Sequence, residues 1–205
     1  MNVLKTSNQM PTAQVVQRIE TLNRNLAGFW KNANGWAPIE AAGILSKSRL
    51  DWQVSLSSTL RMWLREPPNA LSDGELILAW ANLGSLIEGT LKLFLSAYYN
   101  DYQNDIANLK TANVYDAKKG GSKSPDGLTL EPLKKFCSAA NLFVEEGAAL
   151  IELVQARRNA IHAFKDRPIG DDAEFQNAIH CYLILLRAVN NQLPYPDDIW
   201  VPREF

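Results

Sequence analysis

The chain has 205 residues, 46% of them hydrophobic, which is enough to bury a core within one domain. Lys and Arg number 21 against 22 Asp and Glu, so the formal net charge of -1 sets up no general field for nucleic acid, and any polyanion-binding surface must be local. Cys137 and Cys181 sit in apolar stretches without CxxC or Cys/His ligand spacing, which argues against a disulfide framework or a zinc site, and no metal or cofactor is expected.

The opening Met1 to Gln9 stretch carries no apolar leader core, and no later run reaches the roughly 18 uninterrupted apolar residues of a membrane span. The expectation is a cytoplasmic protein with no membrane partner. From there apolar residues recur at three- and four-residue steps, with no alternating strand pattern between hairpin turns, which predicts an all-α fold. A first helix is predicted over about Thr12 to Asn32, with Val15, Ile19, Leu22, Leu26 and Phe29 as its stripe, ended by Asn34-Gly35. A second runs from about Pro38 to Arg65 through Ile44, Leu45, Trp52, Leu56, Leu60, Trp63 and Leu64, and stops before Pro67-Pro68. The two form an antiparallel hairpin, an extension over residues 1–70 that either precedes a domain of residues 71–205 or packs with it as a single domain.

The third helix is the longest, opening at Ser72-Asp73-Gly74-Glu75 and reaching about Asp101, with Leu76, Trp80, Leu83, Ile87, Leu91, Phe94 and Leu95 in register. Residues 104–128 hold Lys118-Lys119-Gly120-Gly121-Ser122-Lys123-Ser124, too polar and glycine-rich to pack, and read as a mobile loop. That run lacks the GxxxxGK[ST] spacing of a phosphate loop, and no strand precedes it. Shorter helices follow from Thr129, as N-cap, to about Asn141 and from about Val144 to Phe164. The last is capped by Asp171 or Asp172, takes Glu174 as capping-box acid, carries Phe175, Ile179, Leu183, Leu186 and Val189, and ends at Pro194. The aromatic tail from Tyr195 to Phe205 is expected to dock on the fold. The six tryptophans are read as packing groups rather than base-stacking ones.

Two histidines remain as chemistry. His180, beside Cys181 and Tyr182, reads as a partly buried structural residue. His162 ends the segment Arg157-Arg158-Asn159-Ala160-Ile161-His162. On an unbroken helix at about 100° per residue, Arg158 and His162 lie about 40° apart and Asn159 about 60° to the other side, so three polar groups share a face while Arg157 points away. Arg158 also follows the stripe of Val154 and Ile161, where a guanidinium needs an anion, supplied by protein or by ligand. The alternative is that the cations complement a helix C-terminus. A guanidinium fork beside an imidazole is the equipment for holding a phosphate and moving a proton at it.

The segment resembles the R-x4-H motif of HEPN domains, all-helical proteins of toxin–antitoxin, phage-defence and RNA-processing systems. Leu78 to Lys92 is similar to that family's first long helix, so the resemblance covers roughly Asp73 to Leu193 and implies a HEPN-like bundle behind the N-terminal hairpin. Spacing selects Arg157, while the helical face selects Arg158, and Arg158 intervenes where many members carry a polar residue directly after the arginine. The resemblance implies a metal-independent endoribonuclease acting as a homodimer, with an antitoxin or regulatory partner. His162 would be the general base or acid, Arg157 or Arg158 would hold the scissile phosphate, and Asn159 would orient them. Products would carry 2′,3′-cyclic phosphate. Lys118, Lys119 and Lys123 would touch the RNA backbone. Phe164 stands where some family toxins carry a modifiable tyrosine. The alternatives are a non-catalytic HEPN-like binding or dimerisation module and a helical adaptor in which the motif only stabilises the fold. Glu88 is expected to act on the surface or within its own helix.

Overall fold

Pro11, with φ of -57°, leads into α1 (Thr12–Trp30) at the point where its missing N–H costs nothing. The computed structural model describes residues 10–65, 70–118, 120–162 and 164–205, so the Met1 to Gln9 stretch, Pro67, Pro68 and Lys119 lie outside the described residues. The predicted second helix is broken. It is α2 (Ile39–Lys47), then α3 (Leu50–Thr59) continued by a 3-10 turn over Leu60–Trp63. The break falls at Ser48, whose backbone turns extended while both its N–H and its hydroxyl donate to the Leu45 carbonyl, a local competition that ends helices. The antiparallel partner of α1 is therefore α3, with Asn23 bonded to Ser57 at 2.7 Å and Arg61 paired with Glu20.

Ser72 opens α4 (Asp73–Ala97) with a complete capping box: its hydroxyl accepts from the Glu75 N–H, and the Glu75 carboxylate accepts from the Ser72 N–H. The helix stops at Tyr98, short of the predicted end, and α5 (Tyr99–Asn104) follows. Residues 104–128 are more structured than predicted. They hold α6 (Ile106–Thr111), capped by the Asp105 side chain, and an antiparallel pair β1 (Tyr115–Asp116) and β2 (Gly121–Ser122) with Tyr115 opposite Ser122. The pair is anchored by Lys123 N–H to the Val114 carbonyl and by the Tyr102 hydroxyl to the Lys123 carbonyl, contacts that periodicity cannot reveal. Then come α7 (Leu130–Ala139), α8 (Glu145–Arg158), a 3-10 turn over Asn159–Ile161, and α9 (Asp172–Gln192). Thr129 precedes α7 without making the expected hydroxyl cap.

The fold is all-α in class, with α4 at its centre. Bonds from Thr59 to Asn82 and from Gln53 to the Leu86 carbonyl and Thr90 run α3 antiparallel to α4. Trp80 against Phe175 and Thr90 against Tyr182 run α9 parallel to it. One buried cluster draws on both the hairpin and the remainder of the chain, through Val16, Ile19, Trp80, Leu91, Val154 and Tyr182. The tail docks as expected. Glu204 pairs with Arg18 of α1 and Arg187 of α9, and Tyr195 bonds Asn190 and packs on Trp30. Among the described residues no helix is long and apolar enough to cross a membrane.

Candidate functional site

The motif segment does not continue as α-helix. After Arg158 the backbone tightens into the 3-10 turn, and His162, at φ -90° and ψ 87°, leaves it altogether. The shared face of Arg158, Asn159 and His162 that an unbroken helix would give is replaced by a turn that delivers His162 to the surface. There it is exposed, beside Ile161 at 50% and Phe164 fully exposed.

The two arginines go to different neighbours. Arg157 folds onto the start of α9: its Nε and Nη2 donate to the Glu174 carboxylate at 2.7 and 2.9 Å, and its Nη1 donates to the Pro168 carbonyl at 2.7 Å. This bidentate bond, with Glu174 the main cause and Asp171 a lesser one, raises the guanidinium above its ordinary value. Glu174 was expected to complete a capping box. Asp171 does accept from the Glu174 N–H, but the Glu174 carboxylate is given to Arg157 instead. Arg157 is thus a tie between the end of α8 and the beginning of α9.

Arg158 lies across α4. Its Nη1 donates to Glu88 Oε2 at 3.0 Å, and its stem runs over Gly84, where a Cβ would stand 2.7 Å from the Arg158 Cδ. A glycine is required there for the guanidinium to reach Glu88. Glu88 is also held by Lys92 at 3.0 Å, so it is not a solitary surface acid but the centre of a Lys92–Glu88–Arg158 cluster. Two cations share one carboxylate, and the cluster carries one net positive charge. Of the five N–H groups on the Arg158 guanidinium one is used by this pair, and its side chain stays 27% exposed. The intrahelical role expected of Glu88 is met by Lys92 four residues on; its second partner, Arg158, lies 70 residues away, beyond the reach of local spacing.

The other candidates are dispersed. Asn159 is half-buried and gives its carbonyl to the His162 N–H. Lys118 and Lys123 are exposed on the β1–β2 hairpin, which packs on α5 and α6 beyond the end of α4, about two and a half turns from Glu88. His180 is 8% exposed, bonds the Thr12 hydroxyl at 3.1 Å, and is held below its ordinary value by burial, as suits a structural residue. Burial also pushes the Cys137 and Cys181 thiols up, to about 12 and about 11, so neither is a ready nucleophile. Cavities of about 130, 230 and 290 Å³ cluster around Leu142 and Phe143 at the other end of α8, away from the motif.

The tryptophans divide. Trp30 and Trp80 are buried core residues, as expected, but Trp52 is 58% exposed with the Arg49 guanidinium 4.0 Å over its ring. No protein-family model, curated protein or solved structure matches the chain.

Proposed function

We propose that the chain is a HEPN-like, metal-independent endoribonuclease that works as a homodimer, with His162 as its acid–base group and Arg158 as its phosphate ligand. The observation that carries the reading is the pairing of an exposed His162 with an arginine that is positioned but not saturated. Arg157 spends three donors on Glu174 and Pro168, whereas Arg158 is oriented by one bond to a carboxylate already shared with Lys92. A phosphate can take up the remaining donors without displacing Glu88. The exposed Ile161 and Phe164 beside His162 supply apolar surface for a second copy.

In this scheme one His162 takes the proton from a ribose 2′-OH as its oxygen attacks phosphorus. The 5′ oxygen departs with a proton from the His162 of the second copy. Arg158 offsets the charge that builds on the phosphoryl oxygens. The products are a 2′,3′-cyclic phosphate and a 5′-hydroxyl, and DNA is spared for want of the 2′-OH. The role extends to a defence effector governed by an antitoxin-like partner.

A second reading, a non-catalytic HEPN-like binding or dimerisation module, draws on the fact that both arginines already hold carboxylates. The test is incubation with total RNA in excess EDTA, comparing wild type with His162→Ala. Cleavage that disappears in the variant supports the enzyme. Cleavage equal to wild type removes His162 from the chemistry, and RNA bound but uncut by wild type selects the module.

A further inference from the structure

The exposed face of α4 is bordered on one side by the motif and on the other by the N-terminal hairpin. Around the α4 axis, Gly84 and Glu88 point to α8, while Asn82, Leu86 and Gly89 point to α3, nearly opposite. Between these directions lie Leu78, Ala81, Ser85 and Lys92, each exposed or half-buried. The short side chains of Ala81 and Ser85 make this stretch of α4 the floor of a groove, with α3 and the end of α8 as its walls.

The register of α3 on α4 locates Trp52 in that groove. Thr59 bonds Asn82 and Gln53 reaches Leu86 and Thr90, so in an antiparallel pair Trp52 stands level with Gly89, across the floor from Arg158 and Glu88. Gln53 faces the core and Ser57 faces Asn23 of α1, which places Trp52 on the opposite flank of α3, the one overhanging α4. What distinguishes this exposed indole is its ordering by Arg49, itself fixed by a two-pronged bond to Asp51 at 2.8 and 2.6 Å. The facing wall carries the net positive charge of the Lys92–Glu88–Arg158 cluster. An ordered, half-open aromatic surface opposite a cationic one is the pairing that unpaired nucleotides use, base on indole and phosphate on guanidinium.

We infer that Trp52 is a base-stacking subsite for single-stranded RNA, contributed by the N-terminal hairpin to the groove whose other wall holds Arg158. Bases inside a duplex are not free to stack on it, so the subsite selects unpaired substrate. The inference rests on the ribonuclease reading for the identity of its ligand, but its test does not need cleavage.

A fluorescein-labelled, adenine-rich single-stranded oligoribonucleotide is titrated by anisotropy at low salt into protein carrying His162→Ala. Adding Trp52→Ala weakens binding by about tenfold, Trp52→Phe retains most of it, and Trp200→Ala, an equally exposed tryptophan in the tail, changes nothing. The annealed duplex of the same oligonucleotide binds equally to all forms. Binding indifferent to Trp52→Ala, an equal loss for the duplex, or no saturable binding by the parent overturns the subsite. So does a change from dimer to monomer on Trp52→Ala in sedimentation, which makes the face a protein interface. Trp52-dependent binding without cleavage by wild type sinks the nuclease and leaves the subsite. Cleavage with Trp52-independent binding does the reverse.

Discussion

Replacing each motif arginine by alanine separates a structural role from a functional one, because the two side chains differ in what they hold. Arg157 makes three charge-assisted bonds, and its side chain is 16% exposed against 32% for Glu174. Bonds to charged groups contribute about 1.5–3 kcal/mol when buried and less than about 1 kcal/mol at the surface, so partial exposure brings the loss on Arg157→Ala to about 2 kcal/mol. In a chain of this size that lowers Tm by about 4–8 °C. Arg158 makes one 3.0 Å pair, and Lys92 stays on Glu88 when it is removed, so Arg158→Ala costs about 1 kcal/mol or less. On the proposed ribonuclease reading, cleavage should follow the opposite order. Loss of a group that stabilises developing phosphoryl charge lowers it by about 100-fold for Arg158→Ala, while Arg157→Ala, assayed well below its Tm, stays within about threefold of wild type. Thermal unfolding by circular dichroism and RNA cleavage in EDTA read the two effects independently. If Arg157→Ala kept its Tm and lost cleavage while Arg158→Ala was the less stable protein, the assignment would be refuted, and the literal R-x4-H spacing would stand in its place.

Two helical glycines on α4 are expected to respond in opposite ways to alanine. At Gly84 the new Cβ meets the Arg158 stem, which is partly exposed and can swing away, and the helix gains about 1 kcal/mol of propensity; Gly84→Ala should therefore leave Tm nearly unchanged and still depress cleavage towards the Arg158→Ala level. At Gly89 the Cβ would stand 2.8 Å from the Gln53 Cδ, inside a buried knot with Thr90 and Tyr182 that has no room to yield, so Gly89→Ala should cost about 2–3 kcal/mol in urea unfolding. Equal Tm values for the two variants would contradict this packing. The tail clasp makes a pH prediction. Hydrogen bonds from Arg187, and then Arg18, hold the Glu204 carboxyl below its ordinary value, so its stabilisation is fully present above the unfolded glutamate pKa of about 4.3 and is lost as pH falls through the depressed folded value. Glu204→Gln should cost about 1 kcal/mol at pH 7, and its deficit should shrink as pH falls below the unfolded value and the wild-type carboxyl takes up its proton; a deficit unchanged as the solution is acidified would rule the linkage out.

What could be read in the sequence was what short-range chemistry decides. Ser72 and Glu75 announced α4 three residues apart, and Asp171 with the Phe175-to-Val189 stripe announced α9. The break at Ser48 was missed because an apolar stripe continues across it, and the side-chain competition that ends α2 leaves no trace in periodicity. Residues 104–128 look like a mobile loop in sequence because α6 and two two-residue strands are too short to show a period and are held by distant anchors such as Tyr102 to Lys123. At the site, the proposal for His162 rests on its surroundings in sequence, but the division of the arginines cannot be read there. It depends on two acids, Glu174 seventeen residues on and Glu88 seventy residues back, that only the packing of α8 between α4 and α9 brings into reach.

That packing also gives the N-terminal hairpin a place in the proposed chemistry. A helix merely resting on the surface of a bundle could slide by a turn at little cost, and Trp52 would then have no fixed relation to Arg158. Here α3 is locked in register by Gln53, whose amide donates to the Leu86 carbonyl at 2.7 Å and reaches Thr90 and Tyr182 within the core. Sliding α3 would leave those buried groups unpaired at about 1–3 kcal/mol each. The same α4 turn that presents its carbonyl to Gln53 carries Glu88 on its other side, so one turn of helix sets the positions of both walls of the groove. An RNA subsite split between the hairpin and α8 therefore needs no separate device to keep its halves aligned, and mutations in the buried Gln53 knot should disturb Trp52-dependent binding along with stability.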